Sequence, residues 1–498
     1  MSEKYDVIVI GSGIGGLTAA AILSKHGKKV LVLEKNPMPG GYAVNFKRGE
    51  FEFDASLHMI DGCEPGGHTY EIFKKCGVLD KIQLLKLPCL YRSVFPDFDL
   101  RISVKNIRQY IDTLTKFFPS EHKGIAKLFK EMSRVFYEGN NFMHSRLPFY
   151  VKLICTPFKY LKLFLYMNKT YLFMLDKFLK NERLKAIISQ LWGYYGLPPS
   201  KVNSFYFSYG WHDYFYNGAH YVNGGSQTLA NAFVGVIREN NGELKVGKEV
   251  DKIITTSKVV RGVRTKKGEE FFADAVISSI DANKTFRDLI GENHLPQSFM
   301  KKLSKMKPSI SIFQIYLGLN LDLKKSNIRD YEIFLNPSYD LDSQYRACIN
   351  NDANKVFIVV TLYSNITSNI APVGKSVIGI TALSGYDFWT NLSKEEYKNR
   401  KEKIANLLIN RTEEIIPNLS SCIEKIEIAT PLTMERYTGN FKGAVYGWSQ
   451  IISQSGIRRM DSKTPVKNLY LASAWSQPGG GMVGAMYAGE KTAGQLLK

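Results

Sequence analysis

No CxxC pair occurs among the six cysteines (Cys63, Cys76, Cys89, Cys155, Cys348 and Cys422), and none of them stands at metal-ligand spacing. The eight histidines contain no HxxxH pair. A zinc centre or a redox dithiol is therefore not expected, and the scattered cysteines read as reduced thiols of an intracellular protein. A Ser-His-Asp elbow and a P-loop are also missing, which removes the usual hydrolase and phosphotransferase readings. No run of roughly twenty uninterrupted apolar residues exists. The nearest, Phe149 to Met167, is broken by Lys152, Lys159 and Lys162. The first strand-like run starts at Tyr5, which leaves no room for a secretory leader, so a cytoplasmic location is expected. Internal repeats and low-complexity tracts are absent as well.

What is present is a chain of 498 residues, 44% hydrophobic, 12% aromatic and 22% charged. Such a chain buries enough apolar surface to offset the entropy of ordering, and its length predicts two interleaved domains. The formal charge is +20, from 66 Lys+Arg against 46 Asp+Glu. It is unevenly spread: residues 101–190 hold 17 basic and 6 acidic side chains. A local positive surface of this kind suits anionic headgroups or nucleic acid.

The opening residues carry the most specific signal. Tyr5 to Ile10 is a short branched apolar run, as expected of a central parallel strand. Gly11-Ser12-Gly13-Ile14-Gly15-Gly16 fits GxGxxG, a small-residue helix follows to about Gly27, and Lys29 to Leu33 gives a second strand. Gly11 permits the turn, Gly13 lets backbone approach a pyrophosphate, and Gly16 lets the helix pack on the sheet. Glu34 ends the second strand, where a carboxylate accepts ribose hydroxyls and repels a 2′-phosphate. Two residues further on, Asn36 to Gly41 ends in a Gly-Gly turn that suits a long dinucleotide running into a second domain.

Later segments read as returning to this unit. Asn223 to Leu229 opens a helix, strand patterns follow around Val246, Val250, Val259 to Val263 and Ala273 to Ser278, and Asn468 to Ala474 reads as a buried strand. Pro478 to Gly484 then leads into a terminal helix. This second glycine cluster matches GxGxxG by letter, but too few residues follow for another nucleotide fold. Its free amides and positive helix end would stabilise negative charge on a reduced flavin.

With these segments in view, the chain resembles the FAD-dependent phytoene desaturase, carotenoid isomerase and retinol saturase group, within the amine-oxidase-like flavoproteins. The resemblance rests on GSGIGG with Glu34, PGGYAVNF (Pro39 to Phe46), EFDASLH (Glu52 to His58), YVNGGSQTL (Tyr221 to Leu229), TPLTMERYTGNFKGAVYG (Thr430 to Gly447) and PGGGMVGAMYAGEKTA (Pro478 to Ala493). It implies an FAD cofactor, held by Gly11, Ser12, Gly13, Ile14, Gly15, Gly16, Glu34 and Lys35 around the adenosine and pyrophosphate. Gly40, Gly41, Tyr42 and Ala43 would approach the ribityl chain, Val250 the adenine, and Gly481, Met482 and Val483 the pyrimidine edge of the flavin. Ala55-Ser56 and Tyr42 depart from the residues usual in the group. The implied activity is saturation, desaturation or cis–trans isomerisation of C–C or C=C bonds in a hydrophobic polyene, carotenoid or retinoid-like. His58 is the polar candidate for catalysis, since imidazole exchanges protons near neutral pH.

Between Arg101 and Tyr221 the nucleotide-fold signals give way to aromatic and basic helices. Trp211, His212, Tyr214 and Tyr216 are expected to line a tunnel for the substrate. Read as a helix from Pro157 to Lys169, the sequence gathers Lys159, Lys162 and Lys169 on one side and apolar residues on the other. This predicts an interfacial helix and peripheral attachment to an anionic membrane surface. No nucleic-acid fold signature accompanies it, so nucleic acid is not an expected partner.

The expected fold class is α/β: a Rossmann-like FAD-binding domain with an inserted α+β substrate domain carrying basic aromatic helices. The FAD-binding parts fall in 1–100, 222–290 and 436–498, a helical substrate and membrane-facing region in 101–221, and a substrate sheet in 291–435. No metal is expected. With one complete nucleotide fold, NAD(P)H has no dedicated site, and the sequence leaves the electron donor or acceptor open. Two other classes share some of the signals: an FAD-dependent amine or protoporphyrinogen-type oxidase, and a membrane-associated flavin-binding adaptor without catalysis.

Overall fold

A computed structural model describes residues 4–102, 107–145, 147, 151, 154 and 158–498. Cys155 and Pro157 lie outside the described residues. The first half of the chain forms β1 (Lys4–Ile10), α1 (Ile14–Lys25), β2 (Val30–Leu33), β3 (Asn45–Arg48), β4 (Phe51–Asp54), β5 (Ile60–Asp61) and α2 (His68–Cys76). Then come β6 (Leu84–Lys86), β7 (Tyr91–Phe95), β8 (Phe98–Ile102), α3 (Ile107–Phe117), α4 (His122–His144) and α5 (Leu161–Tyr166). These are followed by α6 (Tyr171–Phe178), α7 (Glu182–Ile188), α8 (Ser204–Tyr216), β9 (Ala219–Val222) and α9 (Ser226–Glu239). The second half adds β10 (Glu243–Lys245), β11 (Val250–Thr256), β12 (Val259–Thr265), β13 (Glu270–Ser278), α10 (Gln297–Lys305), β14 (Ser311–Leu319) and β15 (Glu332–Leu335). It closes with α11 (Leu341–Asn350), β16 (Ile358–Thr361), β17 (Ser376–Ser384), α12 (Lys394–Thr412), α13 (Leu419–Cys422), β18 (Ile423–Ala429), α14 (Pro431–Thr438), β19 (Leu469–Leu471) and α15 (Gly481–Leu496).

The first sheet runs β10-β2-β1-β13-β12-β11, with β19 paired to β13. β1 is parallel to both β2 and β13, in register Ile8↔Leu31 and Ile8↔Val276. Alternation explains why such a strand is apolar throughout: Val7 and Val9 enter the core shared with α1, while Ile8 and Ile10 enter a second core with Phe286, Trp448 and Trp475. Each fully buried branched side chain contributes on the order of 1.5–3 kcal/mol. Residues 4–33, 243–278 and 469–471, far apart in sequence, thus share one sheet, and α15 lies against α1. The contact is close because both helices carry glycine where they meet: a Cβ on Gly489 would collide with the Gly15 carbonyl, and one on Gly15 would stand 2.8 Å from the Ala485 carbonyl.

The second sheet runs β18-β14-β17-β16-β15-β7-β8. It takes strands from both sides of the boundary expected at residue 100, because β7 pairs with β15 (Ile333↔Arg92) and β8 with β7, rather than with the first sheet. Its central strands β14 and β17 are buried along their full length. Helices α3 and α8 pack beside it, Phe117 against Phe98 and Tyr214 against Tyr91. The interfacial element is shorter than expected: α5 covers Leu161–Tyr166 only. Lys162 turns inward, with its Nζ 2.8 Å from Glu131, while Lys159 and Lys169 stay exposed.

Candidate functional site

Between the two sheets lies a cavity of about 470 Å³. One part of its wall is backbone. Gly11, Gly13, Ile14 and Gly15 line it at the start of α1, and Gly481, Met482 and Val483 line it at the start of α15. Two helix N-termini therefore face the same space, an arrangement that favours a ligand carrying negative charge at two places. Gly40 and Gly41, at φ +133° and +67°, turn the chain against Gly13. A Cβ on Gly40 would collide with the Ala43 carbonyl, so the turn requires glycine. Tyr42 and Ala43 continue the wall. At Gly481 (φ +80°) a Cβ would meet nothing within 4 Å, because that side of the backbone opens on the cavity.

Glu34, at the end of β2, also lines the cavity. Its Oε2 accepts from the Ser12 amide (2.9 Å) and hydroxyl (2.6 Å), and its Oε1 from the Asn36 amide (2.8 Å). The carboxylate is thus fixed while its remaining lone pairs are free for hydroxyl donors. Ser12 and Gly16 stand behind the wall; Gly16 packs on Ser279, whose hydroxyl accepts from the Gly16 amide at 2.9 Å. Lys35, Lys248, Lys284 and Val250 join the lining beside Glu34. Burial, and then Lys284, hold the Lys35 ammonium below its ordinary pKa. Glycine-lined helix ends, a held carboxylate and nearby ammonium groups fit the parts of a dinucleotide: two phosphates, a ribose diol and an adenine.

The remaining wall is made of side chains. His58 lines it, with Nδ1 3.0 Å from Glu332 Oε1 and 3.2 Å from the Thr361 hydroxyl, and Nε2 3.3 Å from the Thr381 hydroxyl. Glu332 is fully buried on β15 and also accepts from the Tyr194 hydroxyl, while its Oε2 has no partner. Both nitrogens of the imidazole are therefore held by the second sheet. Glu332 escaped the sequence reading, although a carboxylate inside the apolar run Tyr331 to Leu335 is a signal in itself, since burying it unpaired is costly.

Helix α8 presents Tyr206, Tyr209, Gly210, Asp213 and Tyr214 to the cavity, the spacing of one helical face. Of the four tunnel residues expected from sequence, Tyr214 is on that face, its hydroxyl donating to the Leu90 carbonyl at 3.0 Å. The other three do not line the cavity. Trp211 stacks on Phe129 and Phe215. His212 stacks between Phe136 and Tyr216, and burial lowers its pKa to about 3. Tyr216 is exposed. The helix is aromatic all round, so sequence periodicity carried no sign of which face looks inward. Asp61 and Asp213 line the cavity too, and nothing in the sequence singled them out.

Among the described residues no His, Cys, Asp or Glu group is arranged to hold a metal ion, and no helix is long and apolar enough to cross a membrane. The chain is similar to several known proteins. A prolycopene isomerase of Daucus carota is 28% identical over 98% of this chain and 79% of its own length. An all-trans-retinol 13,14-reductase of Danio rerio is 27% identical over 94% of this chain and 82% of its own. Among solved structures, an oxidoreductase from Methanosarcina mazei superposes with a TM-score of 0.68 at 18% identity, covering 98% of this chain and 99% of that one. Residues 14–497 match the family model described as flavin containing amine oxidoreductase. The chain therefore belongs to the flavin containing amine oxidoreductase family and is an FAD-dependent oxidoreductase.

Proposed function

We propose that this oxidoreductase works on a C–C or C=C bond of a hydrophobic polyene of the carotenoid or retinoid class. The observation that carries this reading is the cavity itself: glycine backbone on one side and a mostly aromatic and aliphatic wall on the other, including Leu191, Tyr195, Ile312, Phe357 and Leu383. A wall of this kind excludes water and orients a long flat chain, which is what hydrogen exchange at an unactivated bond asks of a protein. The likeness to a prolycopene isomerase and a retinol reductase points the same way. Bound FAD supplies two-electron hydride exchange.

The chain's own residues divide the remaining work. Gly11, Gly13, Ile14 and Gly15 would hold the pyrophosphate, Glu34 the ribose diol, Val250 and Lys35 the adenosine, Gly40 to Ala43 the ribityl chain, and Gly481 to Val483 the pyrimidine edge. Ser12 and Gly16 serve from behind, by fixing Glu34 and seating α1. His58, clamped by Glu332, is a fixed polar point in the substrate wall. For this reading, the visible spectrum of the FAD-loaded protein is recorded on anaerobic addition of retinol, of a carotene and of a panel of amines. Perturbation of the flavin band by the polyenes alone supports it. Bleaching by amines with no response to polyenes transfers the chain to the amine-oxidase class.

We also infer peripheral attachment to an anionic lipid surface. Ile154, Phe158, Leu161, Phe164, Leu165 and Phe173 are exposed apolar side chains beside Lys159 and Lys169. Met143, itself 40% exposed, also lines the cavity, so a lipid-soluble substrate would enter from this side. Replacing Lys159 and Lys169 with Glu is expected to lower affinity for phosphatidylserine vesicles, read by pelleting, at least about 30-fold, at about 1 kcal/mol per lysine lost near the surface. Unchanged pelleting would remove this role.

A further inference from the structure

Asp61 ends β5, three residues after His58. Its side chain is half-buried and lines the cavity. His58 has both nitrogens engaged by the second sheet; the Asp61 carboxyl receives no such clamp. Asp213, 3% exposed on α8, stands against the same turn: a methyl added to Gly62 would lie 2.7 Å from its Oδ2. Asp213 accepts a hydrogen bond from the Asn217 amide. Two carboxyls thus share one end of an otherwise apolar wall, and one of them is free to face a ligand.

Ionisable groups continue from this pair to the surface. α2 opens against the same turn, where the Tyr70 amide donates to the Gly62 carbonyl at 2.9 Å and a methyl on Gly62 would lie 3.3 Å from the Thr69 hydroxyl as well; His68, beside Thr69, bears electrostatically on Asp213. The His68 ring stacks on Tyr487 at 3.5 Å, with Nε2 3.3 Å from Glu490 Oε2. Glu490 in turn meets Lys75 at 3.1 Å, and both partners reach solvent. The other groups facing the carboxyl pair are the phenols of Tyr195, Tyr206, Tyr209, Tyr214 and Tyr487, all raised in pKa by burial first. Cys63 and Glu64 follow Asp61 in its own turn; burial pushes the thiol up, and Lys86 holds Glu64 low. The charges that bear on the pair are those of Asp213 on Asp61 and of His68 on Asp213.

We propose that Asp61, backed by Asp213, is the acid–base group of the cavity, and that His68 and Glu490 connect it to solvent. This rests on the polyene reading above. In the saturating direction the Asp61 O–H bond breaks and a C–H bond forms at one carbon of the double bond. The second C–H bond forms from a hydride supplied by reduced FAD, which is left oxidised, and Asp61 is left as carboxylate. Reprotonation proceeds by way of Asp213 and His68. In the desaturating direction the carboxylate takes the proton and the hydride leaves to oxidised FAD. Burial, and then the neighbouring Asp213, push the Asp61 pKa up to about 7, where a group serves equally as donor and acceptor at neutral pH.

Two measurements on the FAD-loaded protein test this. Infrared difference spectra across pH 5–9 follow the carbonyl stretch of a protonated carboxyl. The wild type is expected to titrate near neutrality, Asp61→Asn to lose that band, and Asp213→Asn to move its midpoint to lower pH. With retinol as probe and chemically reduced enzyme, Asp61→Asn is expected to lower kcat about 100-fold with KM changed by less than about threefold, and to abolish the neutral pH transition. His68→Gln should slow turnover while leaving the Asp61 band in place. Absence of a titrating carboxyl in folded, FAD-loaded wild type overturns the proposal, as does an Asp61→Asn pH profile that superimposes on wild type. A band that titrates in a protein that leaves retinol unchanged supports the proton site and sinks the polyene reading.

Discussion

The two halves of the cavity are built from different material. Around Gly11, Gly40 and Gly481 the wall is main chain, and the requirement on each position is geometric: a positive φ, or no room for a Cβ. Around His58, Asp61 and Tyr214 the wall is side chains brought from β5, α8, β16 and β17, elements far apart in sequence, with Glu332 of β15 holding His58 from behind. Backbone sites tolerate almost no substitution and have a fixed spacing; side-chain sites depend on which face of each element the fold turns inward.

The sharpest way to break this contrast is to add one carbon to the backbone half. Gly40→Val places a branched side chain at φ +133° into the Ala43 carbonyl. FAD retention, read from the ratio of flavin to protein absorbance, is expected to fall about 100-fold, since strain and collision together cost at least about 3 kcal/mol. Retention at the wild-type level would show that the turn does not touch the cofactor.

A change in the side-chain half should do the reverse. Glu332→Gln keeps the shape but weakens the clamp on His58 and on the Tyr194 hydroxyl. The expected result is normal FAD content with kcat on retinol lowered roughly 10- to 100-fold, the usual cost of losing a group that orients a functional side chain. Lost FAD content would merge the two halves into one structural unit.

The smallest effect concerns stability. With its folded pKa about 7, above the ordinary carboxylate value of about 3.9, Asp61 binds its proton more tightly in the folded state. Ionisation therefore costs stability as pH rises from about 4 to 7, and the cost is constant above that. Asp61→Asn should leave Tm unchanged near pH 4 and stabilise the protein at pH 8, by on the order of 2 kcal/mol once water in the cavity is allowed for. A gain largest at low pH would reverse the sign and place the carboxyl among cationic partners.

The same contrast explains what could be read beforehand. β1, the glycine turn, α1, β2 and Glu34 were legible because each residue type is dictated by local backbone geometry and by one acceptor at a strand end. The return of β11 to β13, α9 and α15 was legible from apolar runs bounded by glycine. The pairing of β7 with β15 was not, since short strands carry no address for their partner. Nor was the inward face of α8: Trp211 and His212 are as aromatic as Tyr206 and Tyr214, and only the packing against α4 decides which pair faces the cavity. The charge stripe on residues 157–169 misplaced Lys162, because Glu131, 31 residues earlier, lies within reach of it.

The central claim is that a polyene reacts inside this cavity beside FAD. The direct measurement is mass and double-bond analysis of retinol and of a cis-carotene recovered after anaerobic incubation with FAD-loaded protein in its oxidised and reduced states. A gain or loss of two hydrogens, or an unchanged mass with altered double-bond geometry, is the predicted result. Recovery of both polyenes unaltered from both redox states, together with peroxide release from an amine in air, would contradict it.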